Sequence, residues 1–126
     1  MTCPDDLKYT SDHEWVRIEG ANATVGITHF AQAELGDLVF VELPAIGRAV
    51  SKKETFCVVE STKAASDVYA PLGGKVAEVN QDLNSNPELI NQDPYNGGWI
   101  AKLEGIDEAE AAELLSAAQY REIIGE

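Results

Sequence analysis

Hydrophobic positions in this chain fall into short runs separated by glycine, proline and asparagine, a pattern of small strands and tight turns. Residues 13–19 place Trp15, Val16 and Ile18 among polar neighbours and pair with 22–27 across a Gly20-Ala21-Asn22 turn. Thr28 is suited to cap a short helix over 29–35, which Gly36 ends in a left-handed conformation. Residues 38–43 form a strand closed by Pro44. Gly47 marks a turn, and Ala49-Val50 make a brief pairing. Residues 55–61 and 65–70 are the two arms of a hairpin, and Gly73-Gly74 turns the chain into a strand over 75–80.

Asn86-Pro87 predicts a helix start, with Asn86 as cap and proline in the first helical position. The last strand is expected over 99–103. Asp107 with Glu110, and Ser116 with Gln119, each match a capping box, so two short helices are expected at the end with a break near Ser116, a single helix to Ile124 being the alternative. Leu114, Leu115, Ile123 and Ile124 would pack those helices against the strands. The pattern thus predicts a mainly β fold, a small flattened barrel or sandwich with short helices, two of them at the C-terminus.

Composition narrows the function classes. A chain of 126 residues allows one domain, 1–126, with one modest core. A formal net charge of −13 opposes binding to nucleic acid or to anionic membranes and suits basic partner surfaces. No apolar stretch reaches transmembrane length. The cysteines Cys3 and Cys57 form no C-x-x-C pair. Cys57 lies in an apolar run and reads as a buried reduced thiol, whereas Cys3 is expected to be mobile near the terminus. With no basic or apolar targeting segment at the start, a cytoplasmic, reducing location is expected.

One lysine stands apart. Lys63 lies in the polar turn between the hairpin arms, within Val59-Glu60-Ser61-Thr62-Lys63-Ala64-Ala65-Ser66-Asp67-Val68-Tyr69-Ala70-Pro71. A hairpin tip presents its side chain to solvent, and a lysine amine there can be capped as an amide. The small neighbours Ala64 and Ala65 leave room for a modifying enzyme.

This stretch resembles the attachment site of lipoyl domains, and more closely that of the H-protein of the glycine cleavage system. The resemblance runs through almost the whole chain. It includes Tyr9-Thr10-Ser11-Asp12-His13-Glu14-Trp15, Val25-Gly26-Ile27-Thr28, Leu35-Gly36-Asp37 and Val41-Glu42-Leu43-Pro44. It continues with Gly74-Lys75-Val76, Val79-Asn80, Pro87-Glu88-Leu89-Ile90-Asn91, Pro94-Tyr95 and Gly97-Gly98-Trp99. Each string is short; their order and spacing make the match specific. Thr62 stands where the family usually has valine, and Gly73 where it often has serine. Biotin carriers also resemble the site but typically flank their lysine with methionine, and Met1 is the only methionine here.

The resemblance implies a lipoyl-domain-like hybrid fold and a carrier, not an enzyme, with lipoate covalently attached to Lys63. It implies a shuttle of the aminomethyl group of glycine among glycine decarboxylase (P-protein), aminomethyltransferase (T-protein) and dihydrolipoyl dehydrogenase (L-protein). A lipoate ligase or octanoyl/lipoyl transferase would first modify Lys63. It further implies a cleft that shelters the loaded arm, where a protonated amine needs carboxylate acceptors. By position Glu14 and Asp67 are the candidates, with Asp12 a third. For Glu14 the plain alternative is a solvent-facing place on the first strand, and for Glu60 and Asp67 ordinary surface solvation. Alternatives for the whole chain are the lipoyl domain of a 2-oxoacid dehydrogenase, a lipoyl relay supplying lipoate to other enzymes, and an unmodified binding module.

The remaining residue types offer little chemistry. His13 and His29 are the only histidines and read as structural or exposed. No Cys/His cluster suggests a metal site, and no glycine loop follows a strand as a phosphate cradle would. Trp15, Tyr95 and Trp99 read as packing aromatics.

Overall fold

A computed structural model describes residues 3–126. Its strands are β1 (Lys8–Tyr9), β2 (Glu14–Glu19), β3 (Asn22–Ile27), β4 (Leu38–Glu42), β5 (Ala49–Val50), β6 (Thr55–Ser61), β7 (Ala65–Tyr69), β8 (Gly74–Val79) and β9 (Ala101–Glu104). Its helices are α1 (His29–Leu35), α2 (Asp82–Ser85), α3 (Leu89–Gln92), α4 (Glu108–Ala112) and α5 (Ala117–Ile123). The strands form two antiparallel sheets, ordered β1-β2-β3-β9-β8-β5 and β4-β6-β7. The expected mainly β sandwich with short helices is what forms, and it does not close into a barrel.

The core sits between the sheets. Inward positions of the alternating runs supply it, including Val16, Val25, Val41, Val59, Val68, Val76 and Leu103. Cys57 lies here, and burial pushes its thiol up to about 12, which keeps it protonated and inert. A second cluster joins the chain's ends: Leu7, Tyr9, Trp15, Tyr95, Ala117 and Tyr120. The Trp15 ring lies so close over Gly26 that a Cβ there would sit 2.7 Å from it, which explains the glycine in mid-strand.

Several local expectations change. β1 has too few residues for periodicity to show. It exists because Tyr9 pairs with Trp15 and its backbone exchanges hydrogen bonds with Leu115. His13 lies outside β2 at φ 70, in a turn that Thr10 ties together. Asn86 does not cap a helix N-terminus. It follows α2, its N–H donating to the Asp82 carbonyl, and Glu88 precedes α3. The last strand begins at Ala101, after Trp99 has turned.

At the C-terminus the Ser116/Gln119 capping box forms, but the Asp107/Glu110 box does not. Asp107 accepts from the Ala109 N–H, and Glu110 reaches out to the Gly73 N–H at 2.8 Å, tying α4 to the turn before β8. Cys3 is buried beside α5, and its carbonyl accepts from Arg121, so it is fixed and not mobile. Ile123 remains 48% exposed; Ala117 and Tyr120 supply the buried face of α5 in its place.

Candidate functional site

The hairpin between β6 and β7 is built around one hydroxyl. Ser61 Oγ accepts from the N–H groups of Lys63 and Ala64, each at 3.1 Å, and lies 3.1 Å from the Ala64 carbonyl. The Ser61 N–H donates to the same carbonyl at 2.8 Å. The Lys63 and Ala64 donors are therefore satisfied within the turn while Thr62, Lys63, Ala64 and Ala65 stay exposed. Thr62 N–H donates to the Asp37 carbonyl and braces the tip against the loop after α1. The Lys63 ammonium rests 3.4 Å from the Glu34 carbonyl, near the C-terminal end of α1. Gly36, at φ 83, is the floor beneath it: a Cβ would come within 3.2 Å of Lys63 Cε. Asn91 fixes that floor from α3, donating to the Gly36 carbonyl and Gln32 and accepting from the Leu38 N–H.

A cavity of about 200 Å³ lies elsewhere, between the loop 10–13, the turn 51–54 and the α4–α5 junction. Apolar walls come from Tyr9, Ala70, Pro71, Leu114, Leu115 and Ile123. Glu14 stands in it, only 3% exposed. Burial pushes its carboxyl up to about 7, against the opposing pull of the Thr10 hydroxyl, which donates at 2.6 Å, and the Tyr69 backbone N–H that faces it. The solvent-facing alternative for Glu14 is therefore excluded by its burial. At the mouth, Asp12 pairs with Lys53 at 3.3 Å and Lys52 with Glu113 at 2.6 Å.

The acidic candidates thus separate. Glu14 and Asp12 share the cavity. Asp67 is exposed on β7, outside its lining. On β7 the side chains alternate: Ser66 and Val68 face inward, whereas Ala65, Asp67 and Tyr69 share the outward face. That face runs from the Lys63 turn toward Tyr69 beside Glu14, and about 13 Å separates Ala65 from Tyr69 at the strand's rise per residue. Lys63 itself is not in the cavity; it stands at the far end of this lane.

Sequence reasoning missed Ser61, Asn91, Thr10 and Lys53. Ser61 carried a signal, since serine two residues before a turn lysine invites such a hydroxyl knot. Thr10 carried a local one too, since its hydroxyl serves Asp12 and Glu14 two and four residues on, whereas Asn91 and Lys53 act across long sequence separations and carried none. His13 is held in a network, Nδ1 2.8 Å from the Tyr120 hydroxyl, which also lies 2.7 Å from Thr28 Oγ1. Burial lowers its pKa, so the ring is neutral and structural. Among the described residues no cluster of His, Cys, Asp and Glu is placed to hold a metal ion.

The glycine cleavage H-protein family model matches residues 7–126. The chain is 50% identical over 126 residues to the glycine cleavage system H protein of Staphylococcus haemolyticus, covering all of both chains. It is 60% identical over 117 residues to that of Symbiobacterium thermophilum, covering 93% of this chain and 91% of the other. The crystal structure of a glycine cleavage system H protein from Mycobacterium marinum superimposes with a TM-score of 0.87. It is 42% identical and covers 98% of this chain and 99% of that one.

Proposed function

This chain belongs to the glycine cleavage H-protein family, and on that premise we propose that Lys63 is the residue on which it holds lipoate. As a member it is a lipoyl carrier in the glycine cleavage system, not itself catalytic. The observation that supports Lys63 is the hairpin tip itself: Ser61 takes the Lys63 and Ala64 N–H groups, Thr62 braces the tip on Asp37, and the lysine and its small neighbours are left exposed. When bound, lipoate supplies the dithiolane that takes up and releases the aminomethyl group.

The chain's own residues do the rest. The outward face of β7, with Ala65, Asp67 and Tyr69, gives an arm tethered at Lys63 a path back over the protein. The cavity fits such an arm: aliphatic and aromatic walls suit its hydrocarbon, and Glu14 with Asp12 suit a terminal amine. Glu14 accepts from that amine, Asp12 adds a second negative charge at the mouth, and Asp67 attracts it along the way. Leu114, Leu115 and Ile123 exclude water from one side.

We assign the glycine decarboxylase, the aminomethyltransferase and the dihydrolipoyl dehydrogenase as the partners visited, and a lipoate ligase or octanoyl/lipoyl transferase as the modifying enzyme. The net charge of −13 favours basic docking surfaces on all of them. We place this single carrier domain, 1–126, in the cytoplasm. Two buried free thiols accord with a reducing compartment, and no helix among the described residues is long and apolar enough to cross a membrane.

Intact-mass and peptide mass spectrometry of protein from its own cells tests the assignment. A lipoyl or octanoyl adduct on Lys63 is expected. An unmodified Lys63 in cells that lipoylate other proteins would overturn it.

A further inference from the structure

Lys53 has an unusual position. It is one of two non-glycine residues at positive φ among the described residues, at 73. Its N–H donates to the Ala70 carbonyl at 2.8 Å, which holds the strained turn against the end of β7. The result is an ammonium carried across the cavity mouth to Asp12. The same ammonium exerts only a weak opposing pull on the buried Glu14 carboxyl, which burial pushes up.

Asp12, one of the carboxylates assigned to the cargo amine, is thus already paired with a cation of the protein's own. The Lys53–Asp12 pair is weak by construction: the lysine side chain is 62% exposed, and 3.3 Å is a loose contact. A weak pair can yield to a competing ammonium brought in on a tether at high effective concentration. Its neighbour Lys52 is engaged differently, by Glu113 on the opposite wall at 2.6 Å. The mouth therefore has one firm crosspiece and one that is easily opened.

Resting on the reading that this cavity shelters the cargo amine, we propose that the Lys53 ammonium is a place-holding cation. It occupies Asp12 while the cavity is empty, cedes it when the amine enters, and reclaims it to help the arm leave. Lys53 is a positioning residue that sets how long the cargo stays. A carrier needs such a device, because cargo held too tightly cannot be handed on.

The test uses lipoylated protein loaded with the aminomethyl group, at about pH 8, where Glu14 is ionised. Unsheltered cargo reacts with one water to give the free thiol, formaldehyde and ammonium, with no change of oxidation state, so release of both products reads residence. Lys53→Met is expected to slow this loss roughly two- to five-fold, the size of a weak exposed ion pair. Lys53→Gly, which removes the cation and also relieves the positive φ, is expected to match it, whereas a folding effect alone would separate the two. Independently of turnover, the Lys53 Nζ resonance in the wild-type protein should shift on loading as its carboxylate partner is lost.

Equal or faster loss in Lys53→Met, disagreement between the two variants, or an Nζ resonance unmoved by loading would each overturn the proposal and leave the shelter standing. If wild-type cargo is lost as fast as in Glu14→Gln or in denaturant, the shelter itself fails, and the place-holder with it.

Discussion

One amine, on Lys63, and one carboxyl, on Glu14, stand in opposite environments. Lys63 is exposed, touching only the end of α1, so its substitution costs little in stability. Lys63→Arg is expected to change unfolding free energy by less than about 0.5 kcal/mol while abolishing lipoylation, read by intact mass and by thermal melting. A large drop in melting temperature would mean that the tip is structural. Glu14 is the contrary case. Its folded pKa of about 7 lies above the ordinary 4.5, so the buried protonated acid stabilises the fold at low pH. That contribution is lost as pH rises through about 7. Glu14→Gln keeps an acceptor for Thr10 without the titration. Its stability relative to wild type should rise by on the order of 3 kcal/mol between acid and mildly alkaline pH, measured by urea unfolding. Parallel pH profiles would refute the burial argument. The same sign applies to cargo: Glu14 accepts from an ammonium best when ionised, so retention should fall as pH drops through about 7.

At the scale of elements, the hairpin β6–β7 and the turn 10–13 do the positioning, and each depends on one hydroxyl. Ser61 accepts two N–H groups at the Lys63 turn, and Thr10 serves the loop that delivers Glu14. Ser61→Ala leaves the Lys63 and Ala64 donors to water. It should cost about 1 kcal/mol and slow modification by the lipoylating enzyme, because the tip loses its fixed shape. Urea unfolding and a time course of adduct formation check both parts; unchanged modification kinetics would show that the enzyme reshapes the tip itself. The hairpin was legible in the sequence because strand alternation and turn residues are local properties. The false Asp107/Glu110 capping box marks the limit of that legibility: Glu110 found a better use at Gly73, far away in sequence.

At the scale of the molecule, the C-terminal helices wall one side of the Glu14 cavity and are held by aromatic packing. Tyr120 is fully buried, stacks on Tyr9 with ring centroids 4.7 Å apart, and its hydroxyl meets Thr28 and His13. Tyr120→Ala should cost about 3–5 kcal/mol and release α5, exposing the cavity side lined by Leu115 and Ile123. Tyr120→Phe keeps the stack and should cost about 1–2 kcal/mol, with cargo retention largely preserved. Hydrogen exchange across residues 117–123 separates the two outcomes. Equal effects of both variants would place the hydroxyl network, not the stack, in command of the wall.

Alternation, turn chemistry and the ordered short motifs determined the strands, the mainly β class, the family likeness and the exposed Lys63, because each depends on neighbours within a few residues. They also pointed to Glu14 and Asp12, but as positions without an environment. Only the tertiary structure decided that Glu14 is buried, that Asp67 stands on the lane outside the cavity, and that Cys3 is fixed and Ile123 left exposed. It alone brought Asp12, Lys53, Glu113 and Leu115 to one mouth. Burial and electrostatic fields are sums over everything nearby in space, and those sums are not written in any local stretch of chain.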